Sequence, residues 1–224
     1  MSRWLRAAGP SRGWRMTVGL QRQVYGHTLL SGDAGLLFNA GVLIVLARLE
    51  NKMITALEGR RTGQHYGYEL QKIMPGAGRT INQHFGFYRS YQNLGFGKAA
   101  QLHTHLRIGA CSGSVFGNPC FSLGGHTTIR GVGRDTLEGD AFVLSNVQLL
   151  IPLAGTQYIR GVVFLDAGAV ADSISSATPH RSAVGVGLVW KLKRFVRTDA
   201  RVELAHGLGA KGGNRVYAAT SMLF

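Results

Sequence analysis

The sequence has few acidic residues, few prolines and almost no cysteine. Its 224 residues include 11 Asp and Glu against 25 Lys and Arg, for a formal net charge of +14. Such a surplus attracts polyanions, which means nucleic acid or an anionic lipid surface. Only 16% of the residues are charged and 45% are hydrophobic, and the five prolines are scattered among 32 glycines. This composition disfavours disordered and collagen-like chains, and it predicts a packed or membrane-embedded one.

Cysteine is limited to Cys111 and Cys120, which have eight residues between them. Two cysteines are too few for a disulfide framework. One bridge that closes a loop is geometrically possible in an oxidising compartment, but two free thiols are the simpler prediction. No further cysteine is present to complete a metal site.

Long apolar runs are also missing. No signal-peptide segment is visible near the start, where residues 1–32 hold five arginines and no acid. That composition fits an organelle-targeting segment, a basic tail or the lumen side of a first strand. The most hydrophobic stretch, residues 34–47, is interrupted by Asn39 and is shorter than the roughly 18–20 apolar residues of a spanning helix. Residues 34–58 fit one or two buried strands or a helix, because periodicity does not distinguish them.

Apolar and polar residues alternate with period two along most of the chain, between Gly-rich turns. In residues 159–168 the odd positions are small or apolar, whereas Arg160, Phe164 and Asp166 share the other face. About nine segments show the pattern: 14–25, 64–74, 79–91, 98–110, 140–153, 159–168, 183–195, 199–208 and 215–224. The chain is therefore expected to be all-β, without an internal domain boundary.

The segments favour a transmembrane β-barrel over a soluble β-sandwich. They run for about 10–13 residues, close to the roughly 9–11 residues of a tilted strand that crosses a bilayer. Their polar faces are rich in Arg, His, Gln and Gly, which suits a wet lumen, and the aromatic residues suit interfacial girdles. We expect a basic segment or first strand at 1–32 and an antiparallel barrel domain at 33–224.

Two motifs resemble those of the BamA-type superfamily of outer-membrane assembly and secretion barrels. The pair Gly124–Gly125 followed by Ile129–Gly131 resembles the family's (V/I)RG(F/Y) loop motif, although Val132 stands where the family has an aromatic residue. Downstream, Phe164–Gly168 has the form F-x-D-x-G of its strand motif. The final Phe224 resembles its barrel-sorting signal. The resemblance covers about residues 98–224.

The resemblance implies a sixteen-stranded barrel, of which this chain has room for about ten or eleven strands. It would be the C-terminal part, a reduced paralogue, or a subunit that completes its barrel with another chain. The loop that carries Arg130 would fold into the lumen against Phe164 and Asp166, and the last strand would form a seam. The implied loop lock comprises Gly124, Gly125, Ile129, Arg130, Gly131, Phe164, Asp166 and Gly168, and the implied seam and sorting signal comprise Val216, Ala218, Met222 and Phe224.

The function that this resemblance implies is the insertion and assembly of other β-barrel proteins, without enzymatic chemistry. An edge strand would template a client strand by β-augmentation. The expected partners are unfolded β-barrel clients, membrane lipids and other subunits of an assembly complex, with no nucleic acid and no cofactor. The expected location is an outer membrane, and the basic start with no visible signal peptide favours the mitochondrial one over the bacterial one.

Three alternatives stay open at this point. The chain could be a secretion channel or a passive pore of the same superfamily. It could be a soluble, basic β-protein that binds RNA through cationic and aromatic side chains. Histidines could ligate a metal, although polar residues facing a lumen are the simpler interpretation. The RNA-binding candidates are Tyr88, Arg89, Tyr91, Lys98 and Arg107, and the histidines are His84, His103 and His105.

Overall fold

The strands of this chain pair with their sequence neighbours to form one large antiparallel sheet. The computed structural model describes residues 2–6, 13–25, 40–57, 60–75, 80–95, 100–112, 119–153, 158–171, 179–192, 198–209 and 212–222. Within these ranges the regular structure is all strand, as the alternation predicted. The same ranges contain no helix with the length and apolar character needed to cross a membrane.

Over the described residues the sheet has eleven strands, which agrees with the expected ten or eleven. Its order follows the chain except at one place, where β6 (Gln101–Cys111) pairs with β9 (Ala141–Pro152) across a segment that contains two short strands. The strands of the sheet are β1 (Ser2–Arg6), β2 (Gly13–Tyr25), β3 (Ala40–Leu57), β4 (Arg60–Pro75), β5 (Ile81–Asn93), β6 (Gln101–Cys111), β9 (Ala141–Pro152), β10 (Ile159–Ala171), β11 (His180–Leu192), β12 (Thr198–Leu208) and β13 (Asn214–Met222). The short pair consists of β7 (Phe121–Leu123) and β8 (Leu137–Gly139).

The ambiguous stretch at residues 34–58 contains one long strand, β3, over its described part. β3 pairs along its length with β2 on one side and β4 on the other. Its β-branched residues, among them Ile44, Val45 and Ile54, pack well on a pleated surface. Pairing on both sides decides between strand and helix, and this information is absent from the local sequence.

The two faces of the sheet have opposite character. On β10, Val163 and Leu165 are 50% and 47% exposed, whereas Phe164 and Asp166 between and beside them are 2% and 0% exposed. The outward face is apolar on other strands as well, and the inward face carries the polar groups, which is the pattern of a barrel in lipid. Outward apolar side chains include Trp14, Met16, Leu20, Leu106, Ile108, Val186, Leu188, Trp190, Val202 and Leu204.

The buried core lies on the inward face of the C-terminal strands. One cluster joins the segment between β6 and β9 to the sheet, through residues such as Ile129, Leu144 and Val170. A second cluster on the same face includes Phe164 and Val189, and Tyr217 packs against it. Residues 123–137 of the segment between β6 and β9 therefore contribute to the packed interior.

The expectation of two free thiols is wrong, because Cys111 and Cys120 form a disulfide. Their Cα atoms are 6.4 Å apart, within the range that a bridge spans. Asp140 brings them together: its carbonyl accepts a hydrogen bond from the Cys111 amide at 2.8 Å, and its carboxylate accepts one from the Cys120 amide at 3.2 Å. This approach arises where the chain returns to the sheet, so the spacing of the cysteines did not reveal it.

Candidate functional site

Residues 119–140, called the inner loop from here on, are the described part of the segment between β6 and β9, and they lead into the sheet at β9. The β7–β8 ladder closes the loop at its base, with Leu123 opposite Leu137. Beside this ladder, the Ser122 hydroxyl donates to the Asp135 carboxylate at 2.5 Å. Towards the tip, the Gly124 amide donates to the Thr128 hydroxyl at 2.7 Å. The loop thus has a defined shape of its own.

Arg130 connects the tip of the inner loop to two strands of the sheet. Its Nε and Nη2 donate to Oδ2 and Oδ1 of Asp166 on β10, at 2.7 and 2.8 Å. Its Nη1 donates to both carboxylate oxygens of Glu203 on β12, at 3.0 and 3.1 Å. The backbone amide of Arg130 also donates to Asp166, at 3.1 Å. Such a bidentate arginine–carboxylate contact fixes both the separation of the two groups and their relative orientation.

The aromatic ring of Phe164 completes the surroundings of the guanidinium. The Cζ atom of Arg130 lies 3.5 Å from the ring centroid, which places the cation on the ring face. A cation in this position is attracted by the quadrupole of the ring. The F-x-D-x-G strand motif therefore supplies both the aromatic face and the carboxylate that hold one arginine.

The charges of this cluster are almost completely buried. Arg130, Asp166 and Glu203 are 5%, 0% and 4% exposed. Burial acts to lower the pKa of Arg130, but the hydrogen bonds and charges of Asp166 and Glu203 outweigh it and raise that pKa. Arg201 lies 3.3 Å from Glu203, so two arginines face two carboxylates. Pairing of opposite charges in this way offsets the free-energy cost of removing them from water.

Further polar side chains hold the backbone of the loop. The Asn146 amide donates to the Thr128 carbonyl at 2.6 Å and to Asp166 at 2.8 Å. Arg107 Nη2 donates to the Thr127 carbonyl at 2.8 Å. With these contacts, β6 and β9 join β10 and β12 in positioning the tip.

The edge strand β13 also reaches the inner loop. The Gly131 amide donates to the Tyr217 hydroxyl at 3.1 Å. Gly131 has a φ of +81°, and an added Cβ would lie 2.5 Å from the Gly207 amide nitrogen. Only glycine fits at such a close approach of two backbones.

Apolar packing underneath the loop accompanies the polar contacts. Ile129 and Val132 are fully buried, and Gly168 leaves the room for this packing, because a Cβ there would lie 3.0 Å from both Ile129 and Leu123. Val132, which replaces the aromatic residue of the family motif, is thus a packed core residue of this chain.

The structure brings together the residues that the loop and strand motifs singled out. Arg130, Phe164 and Asp166 are in contact, Ile129 packs against Gly168, and Gly124 and Gly125 form the turn that starts the tip. Four other members of the site were not assigned from the sequence. They lie on strands, and their places in the alternation of polar and apolar residues do indicate the inward face. They are Arg107, Asn146, Glu203 and Tyr217.

Two of the residues expected at the seam, Val216 and Ala218, lie apart from this site. Val216 and Ala218 are exposed on the outward face of β13, and β13 ends at Met222. Phe224 lies outside the described residues. In the described part of the sheet, β1 and β13 are the two edge strands.

The open alternatives fit this arrangement less well. His84 bonds to Tyr68, whereas His105 accepts from Arg89 at 3.1 Å and His103 packs edge-on against Tyr91, so the three histidines do not converge. On β5 the side chain of Tyr88 points to the opposite face of the sheet from those of Arg89 and Tyr91. Lys98 lies outside the described residues. The RNA-binding candidates therefore share no single face, and the apolar outward face argues against a soluble protein.

Comparison with known families identifies the chain at the level of the superfamily. The Omp85 superfamily domain matches residues 62–196, which is more than half of the chain and includes the inner loop and the Phe164–Gly168 motif. No curated protein matches it. The resemblance to BamA-type barrels is confirmed at this level, and the chain belongs to the Omp85 superfamily.

Proposed function

We propose that this protein assists the insertion and assembly of other β-barrel proteins in an outer membrane, without enzymatic chemistry. Omp85 proteins are outer-membrane β-barrels that serve assembly and secretion in general, and they are generally not enzymes. The finer role is proposed from the anchored inner loop and the edge strand beside it.

One observation carries the proposal: Arg130 ties the inner loop to β10 and β12 through two buried carboxylates. The loop also contacts Tyr217 on the edge strand β13. The outer edge of β13 has backbone groups that an incoming strand can pair with. The anchored loop would keep this edge in a defined position while a client strand is added.

The proposed partners are unfolded β-barrel clients, the surrounding lipids and further subunits of an assembly complex. No cofactor enters the proposed mechanism, since backbone pairing and lipid insertion need none. Of the two outer membranes, we propose the mitochondrial one, on the basis of the arginines and missing acids in residues 1–32.

Assembly of a reporter barrel tests this function in outer membranes depleted of the protein. Re-expression of the wild-type chain should restore assembly, and Arg130→Ala should not. Arg134→Ala is the matched control, because the Arg134 side chain is 89% exposed and lies on the same loop. Normal reporter assembly after depletion, or full rescue by Arg130→Ala, would contradict the proposal.

A secretion channel or passive pore of the same superfamily is the second candidate. A cavity on the inward face of the sheet, lined by Arg61, Arg89, Arg160 and Arg201, favours it, because a conducting path needs wet, charged walls. It predicts conductance in planar bilayers together with unchanged assembly of the reporter barrel after depletion.

A further inference from the structure

A polar cavity of about 440 Å³ opens on the inward face of the sheet, below the inner loop. Pockets of about 300–1,000 Å³ are typical of binding sites. Four arginines line it, from β4, β5, β10 and β12, against two carboxylates. The charged lining residues are Arg61, Arg89, Arg160, Arg201, Asp199 and Glu203.

The carboxylates of the cavity wall leave a surplus of positive charge. Glu203 is shared between Arg130 and Arg201. Among the described residues, neither Arg61 nor Arg89 forms an ion pair with a carboxylate. Arg61 lies 5.8 Å from the centroid of the Tyr91 ring, and Arg89 donates to the neutral acceptor nitrogen of His105. The cavity is therefore suited to an anionic ligand.

A chain of hydrogen bonds holds one wall of the cavity in place. Arg160 Nη1 donates to the Gln101 side-chain oxygen at 2.7 Å. The Gln101 amide donates in turn to Asn93 at 2.8 Å and to the Arg61 carbonyl at 2.9 Å. Arg160 and Gln101 are 1% and 0% exposed. A wall that is ordered in advance lowers the entropy lost on binding.

The arginines are spread along the strands and do not converge on a point. Arg160 and Arg201 occupy one row of the sheet, with Val189 between them, which separates their backbones by about 10 Å. Arg89 belongs to the row of Asp166, six residues further along β10 than Arg160. That distance is about 20 Å along the strands. Such a spacing fits an extended ligand with several separated charges better than a compact anion.

We propose that this cavity binds an extended, acidic segment of a polypeptide. Carboxylates two residues apart in an extended chain are about 7 Å apart, so several can reach different arginines at once. Guanidinium groups match carboxylates in geometry and keep their charge at all physiological pH values. The inference rests on the proposed function for its setting, since it names the chemistry of a segment that enters this lumen.

Binding can be measured with the full chain in detergent micelles, by the fluorescence anisotropy of a labelled ten-residue Glu-Ser repeat. We expect saturable binding that weakens as salt is added, and no binding of the matched Gln-Ser repeat. Arg61→Gln/Arg89→Gln should bind at least about tenfold more weakly, equivalent to about 1.4 kcal/mol. Neither substitution leaves a carboxylate without its partner.

The control variant Arg134→Gln/Arg181→Gln removes the same charge outside the cavity and should bind like the wild type. Equal losses in the two variants, or equal binding of both peptides, would overturn the inference in favour of general attraction to a basic chain. Tighter binding of tripolyphosphate than of the Glu-Ser peptide would overturn it in favour of a compact anion.

The same variants separate this inference from the proposed function. Absence of peptide binding by a chain that rescues reporter assembly would overturn the inference alone. Specific peptide binding by a wild-type chain that does not restore assembly would overturn the proposed function alone. Migration of the unheated samples as a folded band shows that each variant is folded.

Discussion

Two ion clusters on the inward face of the sheet both pair arginine with carboxylate, but they have different structural roles. In the C-terminal half, Arg130 from the inner loop reaches carboxylates 36 and 73 residues away, on β10 and β12. In the N-terminal half, Glu50 on β3 contacts Arg48 at 3.0 Å, His65 at 3.0 Å and Arg15 at 3.5 Å. All of these partners lie on β3 itself or on the adjacent strands. The first cluster fixes a loop in space, whereas the second neutralises an inward carboxylate within the sheet.

Exposure separates the two clusters further. The side chain of Arg130 is 6% exposed, whereas those of Arg48 and Arg15 are 36% and 38% exposed. Water and salt screen charges at the second site and have little access to the first. The burial of an ion cluster, more than its composition, therefore decides how much it contributes to the free energy of unfolding.

The largest effect should come from removing the arginine of the buried cluster. Arg130→Ala leaves Asp166 and Glu203 buried with reduced compensation, and breaking a buried pair in this way costs about 3–5 kcal/mol. The free energy of unfolding, measured in urea after refolding into lipid vesicles, should fall by this amount. A loss below about 1 kcal/mol, within the range of an exposed pair, would remove the contrast between the clusters.

An intermediate effect should come from the disulfide, which holds the base of the inner loop while Arg130 holds its tip. Cys111→Ser/Cys120→Ser opens a loop whose ends are 9 residues apart, for which chain entropy predicts a loss of roughly 2–3 kcal/mol under oxidising conditions. The Arg130 contacts should persist in this variant, because they hold the tip of the loop independently of the bridge. A reductant should destabilise the wild type in the same way and leave the double variant unchanged; a response of the double variant would assign the effect to something other than this bridge.

The smallest effect is expected at the N-terminal cluster. Glu50→Gln should lower the free energy of unfolding by less than about 1 kcal/mol, because its arginine partners are more than a third exposed. The difference from the wild type should shrink as salt is added. Asp166→Asn measured in parallel provides the contrast and should cost several times more. Equal losses at the two sites would refute the distinction drawn above.

Much of the sheet was predictable because alternation is a local property. Parity alone placed Phe164 and Asp166 on the inward face, and burial confirms it. In residues 199–208, Glu203 lies on the polar side of the alternation, which is a local signal for the inward face. Nothing local links it to Arg130, which is 73 residues away and contacts it only because of the path of the loop. Tyr217 is hidden in the same way, since its hydroxyl meets the loop only after β13 has paired.

The errors and ambiguities have the same origin. Residues 34–58 did not distinguish a strand from a helix because the deciding contacts are with β2 and β4. The cysteines looked independent because Asp140, which draws them together, is 20 residues beyond Cys120. The family motifs supplied what periodicity could not, namely which loop lies inside and which arginine anchors it.

The hydrogen bond from Gly131 to Tyr217 makes the inner loop a reporter of the edge of the sheet. Any departure of β13 from β12 leaves the Gly131 amide without its acceptor, beside an arginine that is held rigidly by two other strands. By thermodynamic linkage, any change that stabilises the anchored loop also raises the free energy needed to separate β13 from β12. Separation of β13 destabilises the anchored loop by the same coupling free energy. Anchoring of the inner loop and pairing of the edge strand β13 are therefore coupled.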